Sequence, residues 1–364
     1  MMAFSPERRV RRGRAQVKRR RVILAAVAVL ALLAAGTGIV VANRSHKVVV
    51  VRVVTAKTPT SGSETKTQGE YPAAPGAASL QRVRAALAAS EHPGSSPAAV
   101  SRGSLTAGAS VSFAHLASTL PGRVELAVAP LGNGSTTVLG ANVPAHGWST
   151  TKVPVLVALL KARGVRGLTA NETTLAHSAI TESNNESILA LFGDLERLEG
   201  GLQGASGYIQ ELFRASGDEE TVVATAPPPS GAVTTFGQTE WRPSEAVKFF
   251  RALDRGCLLP ADQTGFVLNL MQNIVSGESW GLGSAGFTSV AFKGGWGPEP
   301  SGAYLVRQSG IIDVGSSRGI AVSIVAFPSS GSFSTGTQML TDTAVWLRHE
   351  LRLVPRTDVG CSTE

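Results

Sequence analysis

Twenty-one consecutive residues without a charge, Val22–Ala42 (VILAAVAVLALLAAGTGIVVA), constrain this chain more than any other stretch. A helix over such a run, rising about 1.5 Å per residue, spans roughly 30 Å, the hydrocarbon thickness of a bilayer. The residues before it give its direction. Residues 1–21 hold nine Lys and Arg against one acid, Glu7. Dense cations keep their end of a span in the cytoplasm. Residues 1–21 therefore read as a basic cytoplasmic tail, 22–42 as a transmembrane signal-anchor, and the rest as extracytoplasmic. A signal peptide cut after Val40-Val41-Ala42, which would leave the rest secreted, stays open. Its apolar core would exceed the usual length of about 7–15 residues, which favours the retained anchor.

The same tail explains the composition. The 364 residues carry a net charge of +8. All of it sits in residues 1–21, and the remainder balances to zero. A basic globular surface is thereby excluded, and no nucleic-acid partner is expected. Two cysteines exclude a disulfide-framework mini-protein and a multi-cysteine zinc module. Six histidines fall in no H-E-x-x-H spacing, so neither a metal nor a cofactor is expected. Cys257 and Cys361 are an isolated pair in the exported part. A bridge between them would pin the C-terminal tail to the helical block, and the sequence leaves their separation in space open.

Residues 43–109 read as a juxtamembrane segment and low-complexity linker. Lys47–Val54 is extended, Thr55–Pro75 is rich in Thr, Ser, Gly and Pro, and Ser79–Ser90 is a weak helical patch. From Ser110 the pattern turns globular. A helical Phe113–Leu120 precedes a hairpin, Val124–Leu131 and Ser135–Leu139, about Gly132-Asn133-Gly134. Helices follow at Ser149–Ala162, Glu172–Glu182, Glu186–Phe192, Gly207–Ala215, Pro243–Leu253 and Ala261–Ile274, with Ala224–Thr235 as a loop. Strands at Ser289–Lys293, Gly302–Gln308 and Ile320–Phe327 precede a closing helix, Thr335–Leu351. This order predicts an α+β domain over residues 110–354. Its N- and C-terminal strands pair in one antiparallel sheet beside a helical block, and residues 355–364 form a tail.

Three short patterns carry chemistry. Ser149-Thr150-Thr151-Lys152 opens an apolar helix, and positions i and i+3 share a helical face, so the amine can reach the hydroxyl. A serine hydroxyl needs a base to become a nucleophile, and a lysine serves only when its pKa is lowered. Taken alone the pattern equally fits an N-capping serine with a surface lysine. Ser183-Asn184-Asn185, between two helices, presents a hydroxyl and an amide, and alone fits a plain turn. Lys293-Gly294-Gly295, followed by Trp296, ends a strand with a cation and room for close backbone approach.

Together, in this order, S-x-x-K, S-x-N and K-x-G resemble the signature of the class A β-lactamase and penicillin-binding-protein superfamily of serine hydrolases. The likeness covers residues 110–354, about two thirds of the chain, and Leu175–Phe192 looks most like the class A form. It implies a β-lactamase/transpeptidase-like domain with Ser149 as acylated nucleophile, Lys152 as its base and Ser183 as proton shuttle. It further implies that Asn185 binds a substrate amide and Lys293 a substrate carboxylate. Gly295 would let the substrate approach, and the N–H groups of Ser149 and Trp296 would form an oxyanion hole. The implied partner is a β-lactam or a D-alanyl-D-alanine-type peptidoglycan stem peptide.

Departures accompany the likeness. Asn184 stands where class A proteins have Asp, and Gly294 where the family has Thr or Ser. The class A deacylating glutamate aligns near Ala226-Pro227, where this chain has no acid. Glu219 and Glu220 lie nearby as substitutes. The expectation is a membrane-anchored, extracytoplasmic enzyme with slow deacylation, a D,D-peptidase or weak β-lactamase. The alternative is a catalytically impaired module that binds cell-wall fragments. Three further residues are read beside these: His146 as structural or at the site rim, His177 as packed on its helix, and Trp148 as a site wall or as core packing.

Overall fold

The structure, a computed structural model, describes residues 41–44, 47–50, 77–90, 105–314, 316, 318–351 and 361. The expected tail and most of the expected span, residues 1–40, lie outside the described residues. Among the described residues, no helix is long and apolar enough to cross a membrane. The chain divides into two units, residues 1–67 and 68–364. In the first, β1 (Val41–Arg44) pairs antiparallel with β2 (Lys47–Val50), Val41 opposite Val50.

The second unit holds a five-stranded antiparallel sheet in the order β4-β3-β7-β6-β5. Its strands are β3 (Gly122–Pro130), β4 (Thr137–Leu139), β5 (Val290–Pro298), β6 (Tyr304–Ile312) and β7 (Ile320–Pro328). The N-terminal pair thus joins the C-terminal three through β3 and β7, with Leu126 opposite Ile324. Between them in sequence run α3 (Lys152–Arg163), α4 (Ala170–Thr181), α5 (Asn185–Glu199), α6 (Leu202–Ala215), α7 (Pro243–Asp254) and α8 (Ala261–Gln272). Around them come α1 (Ala77–Ser90) and α2 (Ala109–Thr119) before the sheet and α9 (Phe333–Glu350) after it.

Side chains alternate across a strand, and here the alternation sorts residues by size. Ala127, Ala129, Ala291 and Ala321 face the helical block, where small groups let α7 and α8 come close. Leu126, Val128, Val322 and Ile324 face α2 and α9 with Phe113 and Trp346. Both faces are covered, which explains the nearly unbroken apolar β7. At the centre of the block α3 is buried from Lys152 through Leu160, so this helix is apolar all round rather than amphipathic.

Element boundaries shift from those expected. β5 runs on from Lys293 to Pro298, so Lys293-Gly294-Gly295 is mid-strand rather than a strand end. α5 extends to Glu199, and α6 begins at Leu202. The helical patch inside the expected linker is a docked helix. Val83 and Ala86 of α1 enter the core beside α9, and Arg82 Nε donates to the buried Asp342 at 2.8 Å. Cys257 and Cys361 form a disulfide with Cα atoms 5.3 Å apart.

Candidate functional site

Ser149 does not lie in an α-helix. It sits in a 3₁₀ turn, Trp148–Thr151, that feeds α3. Thr151 Oγ1 donates to Trp148 O at 2.6 Å, and Trp148 itself has φ of 46°. A left-handed tryptophan is strained, and such strain persists only where the surroundings hold it. The surroundings do so. Gly147 N donates to Thr239 O at 2.7 Å and Trp241 N to Ala145 O at 2.8 Å. Arg307 Nη1 donates to Ala145 O, His146 O and Trp241 O at 3.0, 3.2 and 3.0 Å. The Ser149 turn is thus clamped between the loop before α7 and the sheet.

β5 closes the other side. A Cβ at Gly295 would fall 2.9 Å from Gly147 O, Ser149 N and Thr150 N. Only glycine lets the strand lie this near the nucleophile turn. Alternation then places Lys293 and Gly295 toward the helical block, and Gly294 and Trp296 toward α9.

Behind the turn the charged groups link up. Lys152, 1% exposed, has its Nζ within hydrogen-bonding reach of Ser183 O, of Ser183 Oγ at 3.3 Å and of Asn185 Oδ1 at 2.8 Å. Lys293, 0% exposed, donates from Nζ to Ser183 Oγ at 2.8 Å, Gly294 O at 3.2 Å and Glu278 Oε2 at 3.4 Å. Ser183 joins the two amines and has φ of 56°, a second strained residue at the site. Burial, reinforced by the Lys293 cation, pushes Lys152 down to about 6 against the pull of Glu278. Burial also pushes Lys293 down, with Glu278 opposing. A lysine lowered this far can accept a proton near neutral pH, and Ser149, three residues before it, is half-buried.

No family model and no curated protein matches the sequence. Solved structures do match. A TLA-1 extended-spectrum β-lactamase aligns at 14% identity and TM-score 0.54, covering 65% of this chain and 96% of that one. The chromosome-encoded β-lactamase of Vibrio parahaemolyticus aligns at 15% identity and TM-score 0.54, covering 66% and 98%. A class A β-lactamase from Mycobacterium abscessus aligns at 17% identity and TM-score 0.52, covering 66% and 98%. The fold is β-lactamase-like.

Within this β-lactamase-like fold, Ser149, Lys152, Ser183, Asn185, Lys293 and Gly295 converge. Trp296 turns away, and its ring packs on Trp280 and Phe333 with centroids 6.1 and 5.0 Å apart. Asn184 caps α5, its Oδ1 accepting from Ser187 N at 2.8 Å, so this departure from the class A pattern has a local use. Glu219 and Glu220 are held outward, 3.7 Å from Arg214 and 2.9 Å from Arg242, with side chains 73% and 63% exposed. His177 is exposed rather than packed, with Nδ1 3.3 Å from Thr181 Oγ1. His146 pairs with Glu299 at 3.0 Å, and Trp148 is buried with Leu305 and Val325. That hydrogen bond raises the His146 pKa against burial.

Glu278 is the site residue that sequence reasoning missed. A signal existed. A buried lysine needs a counter-charge, and Glu278 is the lone acid between Asp262 and Glu299.

Proposed function

We propose that residues 110–354 form a serine hydrolase that passes through an acyl-enzyme on Ser149. The observation that carries this reading is the hydrogen-bonded chain Lys152–Ser183–Lys293 behind the Ser149 turn. Neutral Lys152 takes the Ser149 proton as Oγ bonds to the substrate carbonyl carbon. The carbon–nitrogen or carbon–oxygen bond then breaks, and Ser183 delivers the proton to the leaving atom. The N–H groups of Ser149 and Trp296 receive the oxyanion, worth a few kcal/mol in comparable sites. Asn185 retains its amide N–H for a substrate carbonyl while its Oδ1 accepts from Lys152. The resemblance supplies β-lactams and D-alanyl-D-alanine-type stem peptides as the substrate class. We further propose that residues 1–42 anchor this domain outside the cytoplasmic membrane.

Deacylation is slow in this reading. From Thr221 through Thr239 the loop has no Asp or Glu, and Glu219 and Glu220 before it are held outward. The test is intact-mass analysis after a fluorophosphonate and after a fluorescent penicillin. An adduct lost in Ser149→Ala is expected, with nitrocefin turned over slowly. Folded protein that gains no adduct from either reagent would sink the reading. The same loop supports a second reading, a module that binds cell-wall fragments without turnover. Muropeptide binding that survives Ser149→Ala, with no adduct from either reagent, would favour it.

A further inference from the structure

We propose that the pocket beside Lys293 selects an acyl donor with no carboxylate next to the scissile bond, a neutral ester or amide, and that Glu278 enforces the choice. This rests on the acyl-enzyme reading above and departs from the carboxylate-bearing substrates that the resemblance supplies.

A lysine ammonium has three N–H groups. Those of Lys293 are all engaged inside the protein, on Ser183 Oγ, Gly294 O and Glu278 Oε2. None is left for an incoming anion. Glu278 is 8% exposed and Lys293 is 0% exposed, so the pair sits away from water. A substrate carboxylate would have to displace Glu278 or lie beside it, and like charges repel strongly where screening is weak.

Position 294 has no hydroxyl, and a Cβ there would fall 3.0 Å from the Trp280 ring, so a Thr or Ser does not fit without moving it. His146 is paired with Glu299. Arg307 is fully enclosed, its Nη1 on three carbonyls.

The test uses one β-lactam in two charge states, benzylpenicillin and its methyl ester, each rate divided by hydrolysis in buffer. Acylation of Ser149 is followed by intact mass. The ester is expected to acylate the wild-type protein at least about tenfold faster than the acid, the scale of one hydrogen bond to a charged group. Glu278→Gln should shift the acid-to-ester ratio toward the acid by about the same factor. Equal or faster acylation by the acid in wild type overturns the proposal, and that arm needs no variant to fold. An unchanged ratio in folded Glu278→Gln overturns the assignment of Glu278. If a fluorophosphonate labels Ser149 and neither penicillin form does, the proposal also falls while the acyl-enzyme reading stands. If none of the three labels folded protein, the acyl-enzyme reading itself fails.

Discussion

The two walls around Ser149 are built in opposite ways. On one side, the buried Lys152, Lys293 and Glu278 are hydrogen-bonded with the half-buried Ser183 and the exposed Asn185 in one cluster. On the other, the segment from Thr221 to Thr239 is without carboxylates, the preceding Glu219 and Glu220 point to solvent on arginines, and the following Glu240 is exposed. In the proposed reading the first wall activates the serine and the second supplies no base for water. Acylation and deacylation then draw on separate parts of this fold, so one can be kept where the other is weak.

Breaking the first wall gives the largest expected effect. Lys152→Ala should slow acylation of Ser149 by about 10²–10⁴, the range for loss of a general base. The measurement is the rate of adduct formation, with circular dichroism confirming the fold. The wild-type pH profile sharpens the assignment. With Lys152 lowered to about 6, its base form predominates above that pH. Acylation should therefore be flat above about pH 7 and fall about tenfold per unit below 6. A profile that climbs to pH 9 or beyond would mean that Lys152 stays charged and another group takes the proton.

How much of this was legible depends on how far apart the partners are in sequence. Ser149 and Lys152 declare themselves because three residues of helical spacing carry the relation. Ser183 and Lys293 are readable as types in an order, although 110 positions separate them, because the fold that joins them recurs. Glu278 announces nothing locally. It is one acid in a loop, and only the burial of Lys293, itself a product of the sheet, gives it a purpose. The extent of β5 was hidden for a related reason. Gly294 and Gly295 weaken a strand by propensity, yet a Cβ at 295 would strike Ser149 N, so packing overrides preference. The 3₁₀ start of α3 was equally invisible, since the left-handed Trp148 is held by Thr239, Trp241 and Arg307 from far along the chain. α1 reads only as a weak helical patch because Gly-, Ser- and Pro-rich stretches flank it, and it is Arg82, Val83 and Ala86 that dock it beside α9.

A smaller effect separates the stability of the scaffold from the chemistry of the walls. The Cys257–Cys361 bridge closes a separation of 104 residues where α7 gives way to α8, remote from Ser149 in the sequence and lining a different cavity. Cys361→Ser should cost about 2–4 kcal/mol in urea unfolding, the usual worth of a long-loop bridge. Acylation of Ser149 should proceed as in wild type at temperatures where the variant is folded. A matching loss of acylation rate would tie the tail to the site and blur the division between the walls.

The smallest expected effect bears most directly on the second wall. Glu219→Gln and Glu220→Gln should each change the acyl-enzyme lifetime by less than about twofold, the scale of an exposed substitution. Neither side chain is positioned to hold a water at Ser149. Glu220 lies 2.9 Å from Arg242 and Glu219 3.7 Å from Arg214, both before the loop turns inward. For either to act, its arginine contact would have to break and the segment around Asp218 would have to rearrange. Asp218 resists that, because its Oδ1 accepts from Thr221 N at 2.9 Å and its Oδ2 from Trp241 Nε1 at 3.1 Å. The informative readout is the decay of the intact-mass adduct after removal of free reagent. A lifetime lengthened tenfold or more in Glu220→Gln would place a deacylating carboxylate on the second wall. The asymmetry would then be one of conformation, the loop moving in only once the acyl group is bound.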